Sequence, residues 1–426
     1  MKIIEYPTKE TLQEVLARPF SQNESAKEIA ASIIERVKLG GNSEVRKITL
    51  ETDRVDISMP HVTDNEFATA RQRVSPQLKQ AIAAAKINIE TFHAAQKHKP
   101  IEVTTSEGVT CYQKSRAISR IGLYIPGGTA PLFSTVMMLA VPAQIAGCKE
   151  IILCSPPTSN GEIADEILYC AELCKVTKVY KIGGATAIAA MAYGTETIKP
   201  CYKIFGPGNR YVTAAKQLIS LHTAAIDMPA GPSEVMVVCD ESAKARYVAA
   251  DLLSQAEHGA DSQALAITTS KTMAKLIKYE VETMVKELAR GELAGLSLKN
   301  SAIVVVKNRS EILDIVNSYA PEHLIISMTD ADTFADEVDN AGSIFIGNYT
   351  PESAGDYCSG TNHTLPTSGW AKSMSGVNLD SFSKKITYQK ITKQGIETLA
   401  PIIAEMACAE GLTAHALAAK VRTENE

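Results

Sequence analysis

The sequence predicts an α/β protein with two parallel sheets. Three observations predict it. Apolar strand-like runs alternate with helix-like runs in two successive series. A Pro/Gly-rich link, Pro229-Ala230-Gly231-Pro232, separates the series and reads as a hinge. Glycine turns follow strand-like runs and open helices. Strands alternating with helices build right-handed crossover units and hence parallel sheets.

Taken in order, residues 1–21 read as a short arm. Residues 25–40 and 75–97 read as helices, the second rich in Ala at helical spacing. Short alternating strands fill about 101–120. The first α/β series places strands at 121–125, 150–154, 178–182, 202–205 and 224–228, with helices at 132–146, 162–174, 185–193 and 208–220. The second places strands at 235–239, 264–268, 303–306, 324–326 and 343–346, with helices at 243–258, 271–289, 309–318 and 332–340. From about 379 a strand-like piece at 385–389 precedes helices at 396–409 and 412–422. A tail without a core of its own packs on something else, either the other domains or a second subunit.

Length and composition agree with this. A chain of 426 residues exceeds one ordinary core, so two to four domains of roughly 100–200 residues are expected. Apolar residues make up 45%, which excludes disorder. Lys plus Arg number 43 and Asp plus Glu 48, a net charge of −5, so there is no basic footprint for nucleic acid. The longest apolar stretch, near 136–146, is interrupted by Pro142 and is too short to span a membrane. The first residues, MKIIEYPTKE, lack the apolar run of a secretory signal. Nine Cys, none in a CxxC pair, read as buried free thiols in a reducing cytoplasm.

Five signals carry chemistry, the glycine turns together making the first. The turns Tyr124-Ile125-Pro126-Gly127-Gly128, Ile182-Gly183-Gly184 and Phe205-Gly206-Pro207-Gly208-Asn209 lie where ligands bind on open α/β sheets, and together they suggest a nucleotide. Each alone is equally a tight βα turn, and no GxGxxG fingerprint is present. Gln255 and His258 stand at i and i+3 on one helix face, although a lone His there also serves as a helix-end cap. Glu322-His323 opens a buried strand, which puts two titratable groups where an α/β site would lie and suits acid/base work; an exposed loop pair is the alternative. The polar loop from Ser353 to His363 carries Asp356 as a possible metal ligand and His363 as a possible substrate contact. In the tail, Glu410 and His415 again lie close. Four of the eight His (His258, His323, His363 and His415) fall inside these clusters, a donor set that suits zinc. No HExxH and no Cys cluster is present.

The stretches GLYIPGG, FGPGNRYVTAAK, DMPAGPSE, DLLSQAEH, APEHL, SAGDYCSGTNHTLPT and EGLTAH resemble, nearly end to end, the histidinol dehydrogenase family. The resemblance implies one zinc per subunit on Gln255, His258, Asp356 and His415, with Glu322 and His323 as the acid/base pair. It implies that Ser233, His363 and Glu410 contact the substrate L-histidinol, together with Gln255, His258, His323, Asp356 and His415. NAD would lie near Tyr124, Thr186 and Asn209, and Thr186 stands where the family commonly has Gln. The implied architecture is an intertwined homodimer of two Rossmann-like domains. Residues 22–123 and 235–377 would form the larger domain, 124–234 the NAD-binding one, and 378–426 a helical tail crossing to the partner. Glu410 and His415 would then complete the neighbouring site. Rival readings are a relative of this fold oxidising another alcohol and a zinc hydrolase using Glu322, which would have no need of three glycine turns.

Overall fold

The computed structural model describes residues 1–19, 24–127, 130–229 and 231–424. Gly128 of the first glycine turn, Ala230 of the hinge and the expected 21/22 boundary lie outside these residues.

The chain begins with β1 (Lys2–Glu5) and four helices, α1 (Lys9–Leu16), α2 (Glu24–Asp53), α3 (Asp64–Arg73) and α4 (Pro76–Ala95). Strands β2 (Ile101–Ser106) and β3 (Val109–Ala117) follow. The first α/β series is β4 (Arg120–Tyr124), α5 (Phe133–Ala146), β5 (Glu150–Ser155), α6 (Asp165–Leu173), β6 (Lys178–Lys181), α7 (Gly184–Tyr193), β7 (Lys203–Phe205), α8 (Arg210–Ser220) and β8 (Ala225–Ile226). The second is β9 (Glu234–Cys239), α9 (Ala245–Ala256), β10 (Gln263–Thr268), α10 (Lys271–Met284), α11 (Gly291–Ser297), β11 (Ala302–Val305), α12 (Arg309–Tyr319), β12 (His323–Ser327), α13 (Ala331–Asp336) and β13 (Ser343–Ile346). Last come α14 (Glu352–Tyr357), β14 (Ser383–Ile391), α15 (Lys393–Ala409) and α16 (Thr413–Lys420).

Both predicted parallel sheets are present, in the orders β6-β5-β4-β7-β8 and β1-β11-β10-β9-β12-β13. Strand order reverses between β4 and β7 in one and between β9 and β12 in the other. Runs such as Val235–Cys239 are buried along their whole length, as a sheet covered by helices on both faces requires. Branched apolar residues fill them, because the pleated surface suits stiff side chains.

The structure adds three features to these expectations. The arm joins a sheet: β1 pairs in parallel with β11, Lys2 opposite Ala302, and forms the edge of the six-stranded sheet. Residues 24–95 pack mainly on the five-stranded sheet, and α4 also reaches 235–377, where Asn88 Nδ2 donates to the Cys358 carbonyl at 2.8 Å. Helix α2 lies on α7 and α8, α3 on α6, and α4 on α5. Ile34, Val37 and Ile48 share a core with Ile188 and Ile204, and Ile82 and Ile89 share one with Met138 and Leu139. The six-stranded sheet is already covered by α9 and α10 on one face and α12 and α13 on the other, so these helices bury their apolar faces on the five-stranded sheet. Helix α3 was not anticipated, although Thr63 and Glu66 form a reciprocal capping box at its start.

Helix α2 contains the predicted 25–40 helix and breaks at Gly41, where φ is +53° and ψ −138°. The tail is tied back by β14, which pairs antiparallel with β3 from Ser383 opposite Ala117 to Ile391 opposite Val109. Helices α15 and α16 pack on each other through Ala404, Ala407 and Ala416.

Candidate active site

The carboxyl ends of the five-stranded sheet face the amino ends of the six-stranded one across a cavity of about 120 Å³. Thr135, Gly206, Pro207 and Met228, which follow β4, β7 and β8, line one wall. Ser233, Gln255, His258, Glu322, His323, Asp356 and His363 line the other. Of the three glycine turns, the third reaches this cavity, through Gly206 and Pro207. Glu322 and His323, by contrast, stand at the amino end of their own strand, opposite to the usual position of an α/β site. Helix α9 runs back along the sheet, so its carboxyl end brings Gln255 and His258 to the same edge.

The wall on the five-stranded side is set by one glycine. Gly206 has φ +125°, and a Cβ there would come within 2.0 Å of the Tyr124 carbonyl oxygen. Only glycine permits that close approach. Its N–H donates to Asp227 Oδ2 at 2.8 Å, and its carbonyl accepts from Lys216 Nζ at 2.8 Å.

His323 is 4% exposed. Its Nδ1 donates to the Glu234 carbonyl at 3.1 Å. A carbonyl only accepts, so the proton sits on Nδ1 and Nε2 keeps a lone pair. Nε2 is buried without a hydrogen-bond partner among the described residues, 3.7 Å from Asp356 Oδ1. Burial lowers the pKa of the ring to about 3, so the imidazole is neutral. Glu322 Oε2 accepts from the Glu234 N–H at 2.9 Å. Burial pushes its carboxyl well above the usual carboxylate range, with the charges of Glu234 and Asp356 adding to the rise.

The spacing of ligand atoms is that of a cation site. His258, Glu352 and Asp356 place a nitrogen and two carboxylate oxygens within 4.8 Å of one another. Gln255 is fully buried, and among the described residues neither its oxygen nor its nitrogen has a partner. Orphaned buried polar atoms are costly unless something binds them, so Gln255, His258 and Asp356 fit a metal. Burial raises Asp356 to about 7. The His258 side chain is open at the mouth of the cavity, yet the protein packed around its ring still lowers its pKa, and the charge of Arg290 adds to this.

His363 is held at both nitrogens. Its Nδ1 donates to the Asp356 carbonyl at 2.9 Å, and Nε2 accepts from Thr135 Oγ1 at 3.0 Å. Burial lowers its pKa to about 4.

These dispositions meet a consistent set of relatives. A family model described as histidinol dehydrogenase matches residues 16–423. A histidinol dehydrogenase from Bacteroides fragilis is 54% identical over 424 residues, covering 100% of this chain and 99% of that protein. One from Escherichia coli is 49% identical over 418 residues, covering 97% and 95%. The crystal structure of histidinol dehydrogenase from Elizabethkingia anophelis superposes with a TM-score of 0.96 at 47% identity, covering 99% of this chain and 98% of that one. This chain belongs to the histidinol dehydrogenase family.

Two predicted residues of this family member do not reach the cavity within one chain. Glu410 and His415 are exposed on the tail. On the five-stranded side, Tyr124 is buried and its hydroxyl accepts from the Gly184 N–H at 3.1 Å. Thr186 is buried within α7. Asn209 caps α8, accepting from the N–H groups of Tyr211 and Val212. It lines a second cleft of about 440 Å³ that shares Ser233 and His258 with the cavity.

Glu352 and Thr135 escaped the sequence reading. Glu352 is 1% exposed, with Oε1 unpartnered and 3.6 Å from His323 Nδ1. A signal existed: Glu352 and Asp356 stand at i and i+4, on one helix face.

Proposed function

We propose that this chain oxidises L-histidinol through L-histidinal to L-histidine, using NAD and one zinc per subunit, as a cytoplasmic homodimer. The observation that carries the reading is one cavity holding a neutral His323, a buried Glu322 and the unpartnered amide of Gln255. Membership of the histidinol dehydrogenase family supports the substrate and the reaction. No described helix is long and apolar enough to cross a membrane.

Zinc would be held by Gln255, His258 and Asp356, joined by His415 of a second copy, and supplies a template that fixes the amino alcohol. NAD would lie on the side of Tyr124, Thr186 and Asn209, and supplies the hydride acceptor twice. Ser233, His363 and Glu410 complete the substrate contacts. The protein's own work is proton transfer and placement. His323 Nε2, with its free lone pair, takes the hydroxyl proton as the alcohol is oxidised. Glu322, in its ionised form, then takes a proton from water as that water adds to the aldehyde, and His323 returns its proton to the aldehyde oxygen to give the diol. His323 accepts the proton of the resulting diol in the second oxidation. The buried walls exclude competing water.

The dimer is supported by the tail. Ile402, Met406 and Leu417 are exposed at 55%, 63% and 59% on α15 and α16, where a partner's cavity would cover them.

The test is reduced-nicotinamide absorbance with L-histidinol, with and without a chelator. Two NADH per histidinol, abolished by chelation and restored by zinc, is the expected result. No turnover would move the reading to a relative acting on another alcohol.

A further inference from the structure

We propose that Glu234, locked by Arg18, is the positioning residue that aims both members of the acid/base pair. The proposal rests on Glu322 and His323 holding those roles. Glu234 opens β9, and its side chain is 3% exposed. Arg18 grips it with both arms of the guanidinium: Nε donates to Oε1 at 2.6 Å, and Nη2 donates to Oε2 at 2.8 Å. The Ser368 N–H adds a third donor to Oε1 at 2.6 Å.

Arg18 is itself anchored. Nη2 also donates to the Tyr319 carbonyl at 2.8 Å, and the guanidinium carbon sits 3.9 Å over the Tyr319 ring. Gln263 Nε2 holds the Ala17 carbonyl at 3.1 Å, and the Tyr319 hydroxyl donates to Gln263 Oε1 at 2.7 Å. The clamp therefore reaches from the N-terminal segment to α12.

The backbone of the clamped residue does the aiming. The Glu234 N–H donates to Glu322 Oε2, and the Glu234 carbonyl accepts from His323 Nδ1. The second bond selects the tautomer that leaves Nε2 free on the cavity side. Pairing of β9 with β12, Val235 opposite His323, fixes the two backbones but not the directions of the carboxyl and the ring. A buried ion pair is a weak source of stability, because desolvation offsets its attraction. A bidentate Arg–carboxylate pair does fix geometry. Here that geometry is passed to two site residues and to the adjacent Ser233.

Arg18→Lys keeps the charge and removes the fork; Glu234→Gln keeps the shape and removes the charge. Either should lower kcat roughly 10- to 100-fold, with KM for histidinol and NAD changed less than about twofold. Zinc content and melting temperature are measured on the same samples. A second readout needs no turnover: nitrogen NMR of histidine-labelled protein, with the His323 signal identified by its loss in His323→Asn. The wild-type ring should show a proton on Nδ1, and the variants a mixture of tautomers. Folded, zinc-loaded variants with wild-type kcat, or an unchanged tautomer in both, would overturn the proposal. A wild-type chain inactive on histidinol would instead count against the functional reading, and the NMR result would then decide the positioning role alone.

Discussion

Glu352 Oε1 lies 3.6 Å from Nδ1 of His323, on the side of the ring away from its free nitrogen. Glu322 Oε2 stands at the same 3.6 Å. When His323 takes a proton at Nε2, two carboxyl groups therefore face the resulting imidazolium, and each stabilises it in its ionised form. Glu352→Gln should lower kcat roughly 10- to 100-fold while one zinc per chain is retained. Loss of zinc together with activity, read by metal analysis, would make Glu352 a ligand instead.

Glu322 has a narrower role than His323. Glu322→Gln should slow oxidation of histidinal roughly 10²- to 10⁴-fold and of histidinol far less. Single-turnover rates started from alcohol and from aldehyde separate the two. Equal losses at both steps would contradict separate roles.

The titrating groups set a pH dependence on the metal-free protein. Burial raises Asp251 and Asp356 to about 7 and pushes Glu322 and Glu352 well above the carboxylate range. Such groups contribute stability below the unfolded carboxylate pKa and lose it as pH rises through the folded value. His323 and His363, lowered to about 3 and about 4, act oppositely: their contribution is lost as pH falls below 6.5. Among these four carboxyl groups and two imidazoles, the carboxyl groups alone act above about 6.5. The melting temperature of metal-free protein should therefore fall as pH rises above about 6.5, and zinc should flatten the slope by replacing the bound protons. A flat metal-free profile in scanning calorimetry would argue against the buried carboxylate cluster.

Lys216 and Asp227 form an ion pair only 3% and 1% exposed, and between them they hold both backbone groups of Gly206. Asp227→Asn leaves a buried cation without its counter-charge and should cost about 3–5 kcal/mol in denaturant unfolding. Enzyme that remains folded should show a raised KM for NAD, since Gly206 leads into the turn capped by Asn209. Unchanged stability and KM would leave the pair without this role.

The tail is tested by complementation. His323→Asn and His415→Asn homodimers should each be inactive. Subunits mixed and re-formed should recover about a quarter of wild-type activity, because half the dimers then carry one intact site. No recovery would place His415 in its own subunit's site.

Much was legible in the sequence because it is local. Periodicity marked nearly every strand and helix of the two sheets, since which face of an element is buried is written in its own residues. Side chains at i and i+3 fall close together near a helix end, so Gln255 with His258 was visible in advance, although α9 stops at Ala256 and His258 lies just past it. The neighbouring pair Glu352 and Asp356 was readable by the same rule. Tertiary structure alone decided the rest. It paired β1 with a strand three hundred residues away in sequence, and it placed residues 24–95 mainly on the five-stranded sheet, because the other was already covered. It also turned the amino ends of β9 and β12 toward the glycine turns. No local pattern encodes that facing. It depends on how two sheets dock, and it joins Arg18, Glu234, Glu322 and His323 into one chain of hydrogen bonds.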